Sequence, residues 1–339
     1  MINCIYRLIG TKCFDIHYAS SDFNKNILVR PEFMAICHAD QRYYQGKRNI
    51  EVVRKKLPMA LIHECCAKVI YDPTNEFKIG QNVILIPNLT SPDNNENHLY
   101  ENYKKSSVFC SSGFDGFMQE LVSVRPDRLL PYNFESENFM AITELLSVAV
   151  HATNRFLLFS HEKREKIAVF GDGSVSYLVS LTIKKILPKC KVVVIGKHPE
   201  KLNFFSFVEE TYFLNDLPSN LTFDHAFECV GGQGSEKAIE DIINFISPQG
   251  TLSMLGVSEE KISINSRLIL EKGVTLIGSS RSSYEDFVHA LNLLSNIDFQ
   301  NRIRSIVYED EPVKSINDIH RVFGTDLSTR FKTVFRWDV

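Results

Sequence analysis

The apolar positions change rhythm along the chain. Through the first 150 residues, short β-rich runs at 26–30, 67–71, 82–87 and 117–124 alternate with turn signals. Between the last two lies a polar stretch, 88–112, containing Pro92, Asp93, Asn94, Asn95 and Asn97. Such a segment buries too little apolar surface to join a core, so it reads as an exposed lobe or loop. An irregular β-rich domain is the expectation here. From about residue 166 the rhythm becomes strand, helix, strand. KIAVF at 166–170 closes on Gly171, 175–187 carries helical apolar spacing, and KVVVI at 191–195 reads as a second buried strand. Further strands are predicted at 223–229, 251–255 and 274–277, and further helices at 235–246 and 283–294. Continuous β-branched runs between helices indicate a parallel sheet covered on both faces, the doubly wound α/β Rossmann architecture. The predicted division is a β-rich domain over 1–150, a dinucleotide-binding domain over 151–297, and a segment 298–339 that rejoins the first.

Composition narrows the class without deciding it. Of 339 residues, 44% are hydrophobic and 23% charged, which excludes a disordered chain, a coiled coil and a collagen-like fibre. A formal net charge of -3 removes a global electrostatic case for nucleic acid. No apolar run approaches a membrane span, and residues 1–10 lack the sections of a secretory signal, so a cytoplasmic location is expected. The 8 cysteines are scattered and form no CxxC pair, against a disulfide framework or a zinc ribbon.

The turn after the first Rossmann strand reads Gly171-Asp172-Gly173-Ser174-Val175-Ser176. Gly171 permits a tight turn, Gly173 lets backbone approach a pyrophosphate at the helix N-terminus, and Ser176 is small enough for close helix–sheet packing. At the end of the next strand an acid would favour an unphosphorylated adenine ribose. This chain has Gly196-Lys197-His198 and then Lys201, which favours the 2′-phosphate of NADP(H). Solvated helix-start charges are the bland alternative for the two lysines.

Cys37, His63, Glu64 and Glu144 offer the thiolate, imidazole and carboxylates of a tetrahedral zinc site, although each alone has an ordinary structural explanation. Their order carries more. CHADQRYYQGKR at 37–48, KKLPMALIHE at 55–64, SSGFDGFMQE at 111–120, then Glu144 and the glycine turn resemble the zinc-dependent medium-chain dehydrogenase/reductase family across nearly the whole chain. Together with FDHAFECVGG at 223–232 and DIHRVFGTDL at 318–327, these strings look like the ribulose-5-phosphate reductases, which serve CDP-ribitol synthesis for teichoic acids and capsules. That resemblance implies a GroES-like β-rich catalytic domain beside the Rossmann domain.

It also implies a catalytic zinc on Cys37, His63, Glu64 and Glu144, with Glu64 exchanging and Asp40 orienting a ligand. A structural-zinc cysteine lobe is missing from 88–112, so one zinc per chain is expected. Ala39 replaces the hydroxyl that relatives use to relay a proton, leaving zinc-bound water with Glu64 or Glu144, or His38, as the route. The implied reaction is NADPH-dependent reduction of D-ribulose 5-phosphate to D-ribitol 5-phosphate. Arg42, Lys47, Arg48 and Arg281 are candidates for the substrate phosphate, and Tyr43 and Tyr44 either bound the pocket or pack. Lys332 stands where relatives place a cationic pyrophosphate contact. Implied partners are further copies of this chain and a cytidylyltransferase. Two rival readings keep the fold: a zinc dehydrogenase of unphosphorylated polyols or threonine, and a nucleotide-binding protein without activity.

Overall fold

A computed structural model describes residues 2–20, 25–90 and 99–339. The chain separates into two compact units, Met1–Glu144 with Ser282–Val339, and Leu145–Arg281. No described helix is long and apolar enough to cross a membrane.

The first unit is built on a mixed sheet. Ile27–Ala35 pairs antiparallel with Glu64–Tyr71 on one side and with Lys332–Trp337 on the other. Met34, Ala35, Cys65, Cys66, Val334 and Phe335 are buried along these strands, which is why runs of unbroken apolar character suit a sheet covered on both faces. Register then determines what gathers at one end. Ala35 lies opposite both Glu64 and Val334, so the segments carrying Cys37, His63, Glu64 and Lys332 leave or enter adjacent strands side by side. Helix Thr143–Phe159 begins one residue before Glu144.

Three expectations change here. The run at 117–124 forms a strand only over Val122–Val124, because Gly116, Phe117 and Met118 donate instead to the carbonyls of Ala60, Ile62 and Leu61. A side chain at Gly116 would stand 2.3 Å from the Ile62 carbonyl, so only glycine permits this approach. Second, the described part of 88–112 is no exposed lobe: Asn88, Asn102, Phe109, Cys110 and Ser111 are buried, and the Arg128 guanidinium holds Glu101 at 3.0 Å. Pro92, Asp93, Asn94, Asn95 and Asn97 lie outside the described residues. Third, the chain re-enters the first unit at Ser282, not at 298. The Tyr284 amide donates to Glu101 at 2.7 Å, fixing helix Tyr284–Leu294 to that unit. The reading also missed the antiparallel hairpin Ile2–Gly10 and Cys13–Ser20.

The second unit is a six-stranded parallel sheet in the order Glu210–Phe213, Lys191–Gly196, Lys166–Phe170, Phe223–Glu228, Ile246–Met254, Thr275–Gly278. The order reverses between Lys166–Phe170 and Phe223–Glu228, and helix Ser174–Ile186 starts beside that reversal. Open α/β sheets bind ligands at such a point, beyond the carboxyl ends of the strands.

Candidate metal centre and nucleotide turn

Cys37 caps helix His38–Tyr44, whose third residue, Asp40, returns its carboxylate to the Cys37 amide at 3.2 Å. Asp40 is fully buried and also accepts from the Ile62 amide at 3.1 Å and from Ser111 Oγ at 2.6 Å. Ile62 and Ser111 both adopt left-handed backbone, with φ of +69° and +59°, so two strained positions flank this carboxylate. Asp40 Oδ2 stands 3.6 Å from His63 Nδ1. Ligand atoms of Cys37, Asp40 and His63 fall within 4.8 Å of one another, and so do those of His63, Glu64 and Glu144. The four residues expected to bind zinc thus converge around one imidazole, with Asp40 behind it.

Lys332 overturns one expectation. Its ammonium donates to Glu64 Oε1 at 2.6 Å and to the Ile36 carbonyl at 2.7 Å, and the residue is buried. The expected pyrophosphate contact gives way to an ion pair inside the first unit.

The electrostatics suit a divalent cation. Burial pushes the Glu144 carboxyl up to about 7, with the Glu64 charge adding to the shift and His63 and Lys332 opposing it. Burial disfavours a charged His63, but Asp40 and Cys37 outweigh it and hold the imidazole well above its usual range. His63 Nδ1 and Glu64 Oε2 are buried without a hydrogen-bond partner. Unpartnered buried atoms are costly, and a cation shared by a thiolate, an imidazole and two carboxylates meets that cost. The donor set fits zinc.

His38 is exposed at the first helical position; desolvation, then the Arg42 charge, lowers its pKa. Arg42 lies in the last turn of the same helix and Lys47 is exposed. The Arg48 guanidinium lies 4.9 Å over the Tyr43 ring. Tyr43 and Tyr44 pack: both are buried, and the Tyr44 hydroxyl meets His320 Nδ1 at 2.9 Å. Arg281 is the last residue of the second unit, with φ +59°.

In the second unit, Gly171 has φ +124°, and a side chain there would press the Cys229 carbonyl at 3.0 Å. Gly173 caps the helix that Ser174 and Val175 open, and a Cβ on it would meet nothing within 4 Å, leaving the amide-rich N-terminus uncovered. Buried Ser176 donates to the Gly173 carbonyl at 2.8 Å. An acid missed by the sequence reading does reach the end of the second strand. Asp172, within the glycine turn, accepts from the Lys197 amide at 2.6 Å, the His198 amide at 2.8 Å and His198 Nδ1 at 3.0 Å. These donors hold its carboxyl below the usual range against the effect of burial. Lys197 and Lys237 line an adjacent cavity of about 620 Å³ with Phe213 and Asp216, and half-buried Lys201 follows on the next helix. Glu228 was also missed: fully buried, it accepts from Val230 and Gly231 with one oxygen and from Gly256 with the other. An acid closing an apolar strand before two glycines was the available signal.

Family models for an alcohol dehydrogenase GroES-like domain and a zinc-binding dehydrogenase match residues 24–133 and 185–296. The ribulose-5-phosphate reductase of Streptococcus pneumoniae is 52% identical, aligned over 100% of this chain and 98% of its own length. This chain belongs to the ribulose-5-phosphate reductase family of zinc-binding medium-chain dehydrogenases. The Bacillus spizizenii ribulose-5-phosphate reductase is 45% identical over the full length of both chains. A crystal structure of Staphylococcus aureus TarJ in complex with NADPH superposes with a TM-score of 0.87 at 38% identity, covering both chains completely. The family and the GroES-like plus Rossmann fold expected from the motifs are those found.

Proposed function

We propose that this chain reduces D-ribulose 5-phosphate to D-ribitol 5-phosphate with NADPH and a single zinc ion. The observation that carries the reading is the convergence of Cys37, His63, Glu64 and Glu144 in a chain 52% identical to a ribulose-5-phosphate reductase. Those four residues would hold the metal, and Gly171, Gly173, Ser174 and Val175 would cradle the pyrophosphate of the nucleotide. When bound, zinc supplies Lewis acidity toward the ketone oxygen and the nicotinamide supplies a hydride.

The chain's own residues do the rest. The Asp40 carboxylate, held by hydrogen bonds from the Cys37 and Ile62 amides and from Ser111 Oγ, stands 3.6 Å from His63 Nδ1 and sets the electrostatic environment of the imidazole. Lys332 holds Glu64 by one oxygen and leaves the second available as a ligand atom. Ala39 offers no hydroxyl, so the proton that completes the alcohol comes by way of Glu144 or His38. Lys197, His198 and Lys201 would supply the positive charge for a 2′-phosphate, while the Asp172 charge is absorbed by two amides and the His198 ring. Arg42, Lys47, Arg48 and Arg281 remain the sequence-derived candidates for the substrate phosphate.

The product would feed a cytidylyltransferase making CDP-ribitol for cell-surface polymers, in the cytoplasm. A homo-oligomer is favoured by edge strand Thr275–Gly278, which among the described residues pairs on one side and leaves Leu276 exposed, with Leu270 81% exposed nearby in sequence.

Steady-state NADPH oxidation with ribulose 5-phosphate, with D-ribulose alongside, tests the reading. The expected result is ribitol 5-phosphate as product and a strong preference for the phosphorylated ketose. Equal kcat/KM for the two would favour an unphosphorylated-polyol dehydrogenase, and no turnover of either would favour the inactive nucleotide binder.

A further inference from the structure

Helix Ile50–Lys56 ends in three cations, Arg54, Lys55 and Lys56, and buries none of its residues. Lysines at such a position ordinarily extend into water. Lys56 instead folds back. Its stem runs 4.0 Å from where a side chain on Gly113 would begin, and its ammonium donates to Ser112 Oγ at 3.0 Å. The same ammonium lies 5.9 Å from the centre of the Tyr43 ring, which also carries Arg48 at 4.9 Å. Two cations thus share one buried aromatic ring, and among the described residues Lys56 has no carboxylate partner. Like charges gathered this way repel, and an anion placed with them removes the repulsion.

This cluster is wired to the metal centre. Ser112 follows Ser111, whose hydroxyl binds Asp40, and Asp40 backs His63. Tyr43 lies on the helix that Cys37 caps. Ser112 accepts from Lys56, which leaves its own O–H to donate. An ammonium, a guanidinium and a hydroxyl donor together match the several oxygens of a phosphate monoester better than a planar carboxylate.

We propose that Lys56 and Ser112, with Arg48 held on the Tyr43 ring, form the subsite that anchors the 5-phosphate of the substrate. The inference rests on the sugar-phosphate reading above and deepens it, since neither Lys56 nor Ser112 was singled out by the sequence. In ribulose 5-phosphate five bonds separate the ketone carbon from phosphorus, so the phosphate has to be held near the metal ligands, and Ser112 is the chain neighbour of the Ser111 that binds Asp40. The phosphate then fixes the ketone beside the metal centre, and Lys56 determines specificity without touching the reacting atoms.

The test compares kcat/KM for ribulose 5-phosphate and D-ribulose in the wild-type holoenzyme, Lys56→Met, Lys56→Arg and Ser112→Ala. Lys56→Met should shrink the ratio of the two by roughly 10- to 100-fold, the loss expected for a charge-assisted contact, and Lys56→Arg should restore much of it. Damage to folding would lower both values together and leave the ratio alone, so an unchanged ratio overturns the proposal; Ser112→Ala provides a second variant with a smaller fall. Inorganic phosphate is the second probe. It should compete with ribulose 5-phosphate and weaken in Lys56→Met; inhibition that does not compete would put the anion site elsewhere and overturn the assignment. A wild-type enzyme indifferent to the phosphate would sink the sugar-phosphate reading itself. A wild-type preference that survives in Lys56→Met would leave that reading intact and remove only this subsite.

Discussion

Lys332 and Glu64 make the most consequential pair at the scale of single residues. Both are buried, and the Glu64 charge is balanced within the protein by one ammonium at 2.6 Å. Removing one member of a buried pair leaves the other uncompensated, which commonly costs about 3–5 kcal/mol. Lys332→Met should therefore destabilise the metal-free protein by that order in urea unfolding, and adding Glu64→Gln should recover part of the loss. An unchanged midpoint in Lys332→Met would show that the pair contributes nothing. The ligand types were legible in the sequence because thiolate, imidazole and carboxylate have few other reasons to occur in those motifs. The role of Lys332 was not, because its partner lies 268 positions away and a lone lysine carries no sign of burial. Asp172 was hidden differently: it occupies a variable position of the glycine motif, and only the folded turn carries it to the next strand.

At the scale of elements, the Rossmann strands 166–170, 191–195 and 223–229 were readable because burial on both faces forces unbroken apolar runs. Edge strand Glu210–Phe213 and the N-terminal hairpin were not, since half-exposed strands such as Glu210–Phe213 and Cys13–Ser20 mix polar and apolar positions. One of the readable strands carries a pH dependence. His225 is fully buried in Phe223–Glu228, accepting from the Thr251 amide with Nδ1 and meeting the Lys163 carbonyl with Nε2. The amide makes Nδ1 an acceptor, so the neutral ring donates from Nε2. Burial, then the neighbouring His161, lowers its pKa to about 4. The folded state resists a proton that the unfolded chain takes up near pH 6.5, so this contribution is complete above that value and is lost as pH falls toward 4. Its size is on the order of 2 kcal/mol once solvent screening is allowed for. Between pH 7 and pH 5 the wild type should lose more unfolding free energy than His225→Gln; equal losses would contradict the assignment.

At the scale of the whole molecule, the division of labour was legible and its boundary was not. The α/β rhythm continues through 283–294, so nothing in the apolar pattern marks the return to the first unit. What fixes helix Tyr284–Leu294 there is an amide donated to Glu101, a contact across 183 positions. The candidate metal ligands all belong to the first unit, whereas the glycine turn belongs to the second. Loss of the ion should accordingly abolish turnover while leaving the nucleotide turn intact. The most direct measurement is turnover of ribulose 5-phosphate with NADPH as zinc is titrated back into chelator-treated protein. The rate should rise from near zero in proportion to bound zinc and level off at one ion per chain. A metal-free protein that turns over at the full rate would contradict the account.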